Sequence, residues 1–228
     1  MERKIILTGD GSHSISVPEL NVAYHSVHGA IQESMHVFIK AGLIDSGIFD
    51  HVGVHQVLEI GFGTGLNALL TLIEADRHRN RIYYTGIELY PIKEPEAGQL
   101  NYCEQLDQPH YKPLFNKMHG CEWEEMTEIS EFFRLTKHKC DLADYLPKDL
   151  FYLIYFDAFA PKAQPQLWTR TVFDKIYSML QPGGIVVTYC SKGEVRRNMI
   201  AAGFQIEKLK GPRGKREMLR ARTRINND

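Results

Sequence analysis

Three features of this sequence predict an α/β fold of the doubly wound, Rossmann-like kind, with a mostly parallel sheet and an antiparallel C-terminal strand. From residue 55 onward, short apolar runs alternate with stretches of helical periodicity. The run Val57-Leu58-Glu59-Ile60 passes through glycines at 61, 63 and 65 directly into the helix formers Leu66 to Leu72, which is how a strand turns tightly into a ligand-facing helix. The 228 residues, 43% hydrophobic and 24% charged, suffice for one substantial core and little more than one domain.

Along the chain, Lys4 to Thr8 and Ser14 to Val17 flank Gly9-Asp10-Gly11 and read as a β-hairpin. Residues 29–41 place Ile31, Met35, Phe38 and Ile39 at helical spacing, with Gly42 as the expected stop. Residues 1–50 thus form an extension expected to pack on a domain spanning 51–228. Strands are predicted near 55–60, 82–88, 132–138, 151–157 and 184–190, and helices near 65–75, 94–106, 166–180 and 192–202. Phe204 to Leu209 and Arg216 to Thr223, joined by the turn Gly211-Pro212-Arg213-Gly214, close the sheet as an antiparallel pair. The pattern leaves Gln108 to Glu131 undecided.

Composition excludes several classes. No segment has the ~18 consecutive apolar residues of a membrane span, and Met1-Glu2-Arg3-Lys4 leads into no secretory segment, so a cytoplasmic protein is expected. Cys103, Cys121, Cys140 and Cys190 form no C-x-x-C pair, and the histidines lack ligand spacing, so no metal is expected. The net charge of −1 conceals an asymmetry: residues 192–224 carry eleven Lys/Arg against three Glu. Such a segment suits an RNA backbone, and equally suits a solvated surface whose Arg stems pack on strands.

Candidate site residues gather where the strands end, since ligands of open α/β sheets lie beyond the carboxyl ends. A dinucleotide loop needs glycine at 66, where this chain has Leu, and Glu59 before the turn repels a pyrophosphate. The loop Gly61, Phe62, Gly63 and Gly65, with Glu59 before it and Asn67 after it, suits S-adenosylmethionine, whose methionine end carries an ammonium and a carboxylate but no phosphate and so fits an acid followed by free N–H groups. Glu88, followed by Leu89, ends the second parallel strand, where a carboxylate accepts from ribose hydroxyls. Asp141 is placed to receive an adenine amine or to cap the turn Leu142 to Leu146. Asp157 leaves a nearly all-apolar strand and is costly to bury unpaired, which implies a ligand amine or a loop-capping role. Phe159, two residues on, offers an aromatic face to a cation or base. Gly211-Pro212-Arg213-Gly214-Lys215-Arg216 has the wrong glycine spacing for a nucleotide phosphate loop.

Several segments together resemble the methyltransferase domain of the MnmC family, above all its stand-alone, MnmD-type form. They are Tyr24-His25-Ser26 with Glu33-Ser34-Met35-His36-Val37-Phe38, Glu59 to Asn67, Asp157-Ala158-Phe159-Ala160-Pro161 with Pro165 and Trp168, Thr188 to Gly193 with Val195-Arg196-Arg197, and Gly214-Lys215-Arg216-Glu217-Met218. Cys190 stands where a smaller residue such as Ser is expected. The resemblance implies a class I methyltransferase fold, S-adenosylmethionine as donor, and conversion of 5-aminomethyl-(2-thio)uridine at the tRNA wobble position to its 5-methylaminomethyl form. It implies Asp157 and Phe159 as catalytic residues, and Tyr24, Ser26 and Glu33 on the acceptor side. Lys192, Arg196, Arg197, Lys215 and Arg216 would hold anticodon-loop phosphates around a splayed-out base. Bifunctional members add a flavin oxidase. This chain shows no second dinucleotide loop, so the substrate is expected to arrive already as the primary amine, or to be supplied by a separate oxidase. The competing readings are a small-amine methyltransferase or aminopropyltransferase, and a non-catalytic RNA-binding scaffold.

Overall fold

Apolar alternation sets the core. In the strand Val54–Ile60, Val57 faces one side of the sheet while Leu58 and Ile60 face the other, and Leu153, Tyr155 against Ile154, Phe156 repeat the pattern next door. The computed structural model describes residues 2–225. Expectations reaching residue 1 or residues 226–228 lie outside the described residues.

The chain opens with β1 (Lys4–Leu7), β2 (His13–Val17) and β3 (Val22–Ala23), a small antiparallel sheet. Helix α1 (Ala30–Ser34) continues in a wider π-type winding over Met35–Ile44. Then come β4 (Val54–Ile60), α2 (Leu66–His78), β5 (Arg81–Ile87), α3 (Glu94–Gly98), α4 (Tyr102–Gln105) and α5 (Lys112–Gly120). They are followed by β6 (Met126–Ser130), β7 (Phe133–His138), β8 (Phe151–Phe156), α6 (Arg170–Met179) and β9 (Leu180–Thr188). The chain closes with α7 (Gly193–Ala201), β10 (Gln205–Lys210) and β11 (Glu217–Arg222).

The main sheet has eight strands in the order β10-β11-β9-β8-β4-β5-β7-β6. Strands β9, β8, β4, β5 and β7 are parallel, whereas β10, β11 and β6 join antiparallel. Strand order reverses at β4, between β8 and β5, which opens a crevice at their carboxyl ends. The N-terminal segment shares its core with one sheet face, where Ile15, Phe38, Ile39 and Leu43 pack with Val57, Tyr155 and Val187. Helices α6 and α7 cover the other face.

Three expectations are corrected. Gly42 does not stop the first helix. A Cβ there would lie 2.9 Å from Val187 Cγ2 and 3.2 Å from Tyr155 Cε1, so the glycine lets the helix press onto the sheet. The helix expected over 94–106 is two short helices, interrupted where the Asn101 side chain leaves to accept from the His13 N–H at 2.8 Å and to donate to the Gly11 carbonyl at 2.9 Å. Strand β9 starts at Leu180, before its Gly-Gly pair, with a register shift against β8.

Candidate active site

The crevice beyond β4 and β8 is a cleft open to solvent at its mouth. Gly61, with φ of +91°, turns the chain there; a Cβ on it would sit 2.7 Å from the Asp157 carbonyl, so only glycine lets these two strand ends touch. The Asp157 N–H donates to the Ile60 carbonyl at 3.0 Å and completes the seam. Gly61 and Phe62 donate their N–H groups to the Ile87 carbonyl at 3.0 and 3.1 Å, and Gly65 donates to Phe62 at 2.9 Å. Gly63 donates to Glu88 Oε2 at 3.0 Å. The loop thus engages these donors on Ile87, on Glu88 and on its own turn, while the first N–H groups of α2, at Leu66, Asn67 and Ala68, have no acceptor among the described residues.

Glu59, Gly61, Phe62, Gly63, Asn67, Glu88, Leu89, Asp141, Asp157, Phe159 and Tyr24 all line this cleft. Gly65 does not; it sits behind the loop against His119. Glu59 is 1% exposed, and its two oxygens accept from Asn67 Nδ2 at 2.8 Å and the Tyr84 hydroxyl at 2.8 Å. Burial, reinforced by the nearby Asp157, holds its carboxyl well above the usual carboxylate range. Both of its oxygens are thus held by protein donors at the lining of the cleft. Asn67 Nδ2 also donates to Asp157 Oδ2 at 2.9 Å, so one amide ties both acids together. Burial, then the charge of Glu33, raises the Asp157 pKa to about 8. Glu88 Oε1 accepts the Tyr90 N–H at 2.8 Å, and Asp141 Oδ1 accepts the Ala143 N–H at 2.8 Å in a turn that does not become a helix.

Aromatic rings close the top. Tyr24 meets Phe159 edge-on with centroids 5.2 Å apart and lies against Gly63, where a Cβ would come within 2.9 Å of its ring. Burial and Glu88 raise its phenol to about 12, so it stays a neutral donor. The Phe159 N–H donates to Gln164 Oε1 at 2.9 Å and its carbonyl accepts from Trp168 Nε1 at 2.8 Å, which stiffens the loop after β8.

Other candidates lie elsewhere. Ser26 and Glu33 are outside the cleft lining: the Ser26 N–H donates to Glu33 Oε2 at 2.9 Å. Lys215 Nζ pairs with Glu33 Oε1 at 2.5 Å and lies 3.8 Å from the Tyr189 ring centroid, so it is not free for a phosphate. This corrects the sequence reading. Lys192, Arg197 and Arg216 are exposed and Arg196 is half-buried, all away from the cleft lining.

Sequence reasoning missed the supports of the glycine loop. His25 Nε2 shares a hydrogen bond with Thr64 Oγ1 at 2.7 Å, and His119 Nε2 with the Thr64 carbonyl at 3.1 Å. Burial lowers both imidazoles to about 4, with Lys137 adding to the effect at His119, so both are neutral at pH 7. Lys137, 1% exposed, donates to the His119 carbonyl at 2.8 Å and lies 4.7 Å from the Trp123 ring centroid. Only the position of His25 between Tyr24 and Ser26 hinted at this.

The residues fit the expected cofactor. Glu88 and Asp141 line the cleft beside Glu59 and Asp157, both raised toward the protonated form, with Arg3 the one Lys or Arg among the described lining residues, a set that suits a cationic ligand better than a phosphate-bearing one. Asn67 Oδ1 is buried there with no hydrogen-bond partner, an open acceptor of the kind an ammonium satisfies. Among the described residues no His, Cys, Asp or Glu cluster has metal-site geometry, and no helix is long and apolar enough to cross a membrane.

A family model described as S-adenosyl-L-methionine-dependent methyltransferase matches residues 104–224. Among curated proteins, the chain is 30% identical, across 95% of its own length, to the tRNA 5-methylaminomethyl-2-thiouridine biosynthesis bifunctional protein MnmC of Cupriavidus metallidurans. It is 28% identical, across 88% of its length, to the protein of that name from Aeromonas hydrophila. It spans 33% and 32% of those two proteins, about a third of each. The crystal structure of MNMC2 from Aquifex aeolicus shares the fold, with a TM-score of 0.78 at 23% identity, covering 98% of this chain and 71% of that one. The chain belongs to the S-adenosyl-L-methionine-dependent methyltransferase family, and over most of its length it is similar to about a third of the MnmC proteins.

Proposed function

We propose that this methyltransferase N-methylates 5-aminomethyl-(2-thio)uridine at the tRNA wobble position, giving the 5-methylaminomethyl nucleoside. The observation that carries the reading is Asp157 at the floor of the cofactor cleft, tied to Asn67 and placed two residues before Phe159, an arrangement suited to a primary amine on a flat base. The MnmC relatives are named for 5-methylaminomethyl-2-thiouridine synthesis, which agrees with that chemistry.

S-adenosylmethionine supplies a methyl group activated by a sulfonium. The chain's own work is to hold the acceptor nitrogen in line and neutral. Positioning of this kind is worth ~7–11 kcal/mol. An alkylamine with a pKa near 10.4 costs about 4–5 kcal/mol to hold neutral at pH 7. Asp157 accepts one amine hydrogen and aims the lone pair, while Phe159 and Tyr24 flank the base and exclude water. With its pKa near 8, Asp157 also binds a proton far better than an ordinary carboxylate, which narrows the gap to the ammonium it faces. Lys192, Arg196, Arg197 and Arg216 supply positive charge outside the cleft for the tRNA backbone.

The test is incubation with labelled S-adenosylmethionine and tRNA carrying the unmethylated aminomethyl nucleoside, followed by nucleoside analysis. Label in 5-methylaminomethyl-(2-thio)uridine is expected. Label transferred to free polyamines or small amines, with none in tRNA, overturns the reading.

A further inference from the structure

A second, shallower groove runs between the helix Ala30–Ile44 and the turn joining β10 to β11. Gln32 and His36 line one side, and Lys210, Arg213, Gly214 and Lys215 the other, with no carboxylate among its lining residues. The turn is rigidly held. His36 Nε2 contacts the Lys210 carbonyl at 2.7 Å, the Gly211 N–H donates to Arg216 at 3.1 Å and the Lys215 N–H to Pro212 at 2.9 Å. Gly214, at φ of +85°, lies against His28 so closely that a Cβ would come within 2.5 Å.

The basic residues of this region divide into two groups. Lys208, Lys215 and Arg220 each have a carboxylate partner, at 2.9, 2.5 and 2.8 Å. Among the described residues, Lys210 and Arg213 have none within 4.0 Å, and both are exposed on the groove's rim. The groove also adjoins the wall of the cleft. Lys215 packs on Tyr189, and the Tyr189 hydroxyl donates to the Ala158 carbonyl at 2.8 Å, next to Asp157.

We propose that this groove binds the RNA phosphodiester beside the acceptor nucleotide, with Lys210 and Arg213 as phosphate contacts, while Lys215 is withheld from RNA by Glu33. The inference rests on the tRNA reading above and adds the site of backbone contact. An open trough with unpaired cations and the Gln32 amide suits a phosphodiester passing through more than a stacked base, since its aromatic ring, that of His36, is tied to the Lys210 carbonyl. Lys215, neutralised and seated on Tyr189, is a positioning residue for the wall that carries Asp157.

The double variant Lys210→Ala/Arg213→Ala tests this, with the charge-swapped K210E/R213E beside it and S-adenosylhomocysteine binding by calorimetry as the folding check. In the Ala pair, KM for tRNA should rise about tenfold at moderate salt with kcat little changed, and more in the Glu pair. The slope of log affinity against log salt should flatten by about 1–2, as for the loss of two phosphate contacts. Lys215→Met should instead lower kcat and leave the salt slope as in wild type. Wild-type KM and salt slope in both double variants overturn the groove, as does a slope in K215M that flattens as much as theirs. Displacement of tRNA by polyglutamate and not by polyuridylate assigns the groove to an acidic polypeptide, and so also overturns it. A wild-type protein that methylates no tRNA overturns the functional reading itself, and with it the RNA identity of the groove's ligand.

Discussion

The side-chain amide of Asn67 donates to the carboxylate of Asp157 at 2.9 Å across a sequence gap of 90 residues. The contact joins the first turn of α2 to the end of β8, and through the second amide hydrogen it reaches Glu59 in β4. Three elements that meet at the strand-order reversal therefore share one polar link, whose remaining oxygen is left open in the cleft.

Removing that link should be felt at both acids. In Asn67→Ala each carboxylate loses a donor, at a cost of order 1–3 kcal/mol apiece for a buried group left short of a partner. S-adenosylhomocysteine affinity should fall at least tenfold by calorimetry, and the pH profile of kcat should move to higher pH because Asp157 loses a hydrogen bond that lowers its pKa. Unchanged affinity and an unmoved profile would show the link to be incidental.

Asp157 makes a pH prediction with a definite sign. An acid whose pKa is raised by folding, here from 3.8 to about 8, binds its proton more tightly in the folded state. Its contribution to stability therefore falls as pH rises through that window and is level above it. Asp157→Asn should show a melting temperature close to wild type near pH 4 and an advantage that grows toward pH 8, with methyl transfer suppressed at every pH. In the wild type, kcat should climb through pH 8 as the carboxylate forms. A melting-temperature difference that does not vary with pH would contradict the elevated pKa.

The paired imidazoles on Thr64 run the opposite way. His25 and His119 are lowered from 6.5 to about 4, so the unfolded chain binds more protons between those values and stability is lost as pH falls through them. His25→Gln/His119→Gln, which keeps polar groups facing Thr64, should lose less stability than wild type between pH 7 and pH 5 in urea unfolding. Equal losses would place the acid sensitivity elsewhere.

Gly42→Ala should be destabilising by about 1–3 kcal/mol, the usual cost of overpacking, since the added methyl meets Val187 and Tyr155. Gly98→Ala, also in a helix but with nothing within 4 Å of the new Cβ, should be neutral or slightly stabilising. Chemical denaturation of the two variants side by side decides the matter.

Gly42 also marks where sequence reading stops working. Strands β4, β5 and β8 announce themselves as largely apolar runs and β7 by its alternation of Phe133 and Leu135 with polar residues, and the glycine loop because its spacing is local. A glycine chosen for its contact with Val187, 145 positions later, looks like any helix stop. The break at Asn101 is hidden for the same reason, since its partners are His13 and Gly11 in the first hairpin. In the site, Asp157, Asn67 and Glu88 were visible as polar residues at strand and loop ends. Which of them bond one another was not, and neither were the supports His25 and His119, because both depend on tertiary neighbours. Lys215 was read by its charge, and only the fold shows that Glu33 has already claimed it.

The Glu33–Lys215 pair and the Tyr24 roof have a practical corollary for anyone trimming this protein to a minimal catalytic unit. A cut at residue 50 would strip the sheet of an apolar cover built from Phe38, Ile39 and Leu43, orphan a lysine, and take the ceiling off the cofactor chamber. The first fifty residues are best treated as an indivisible part of the enzyme, inherited together with the sheet.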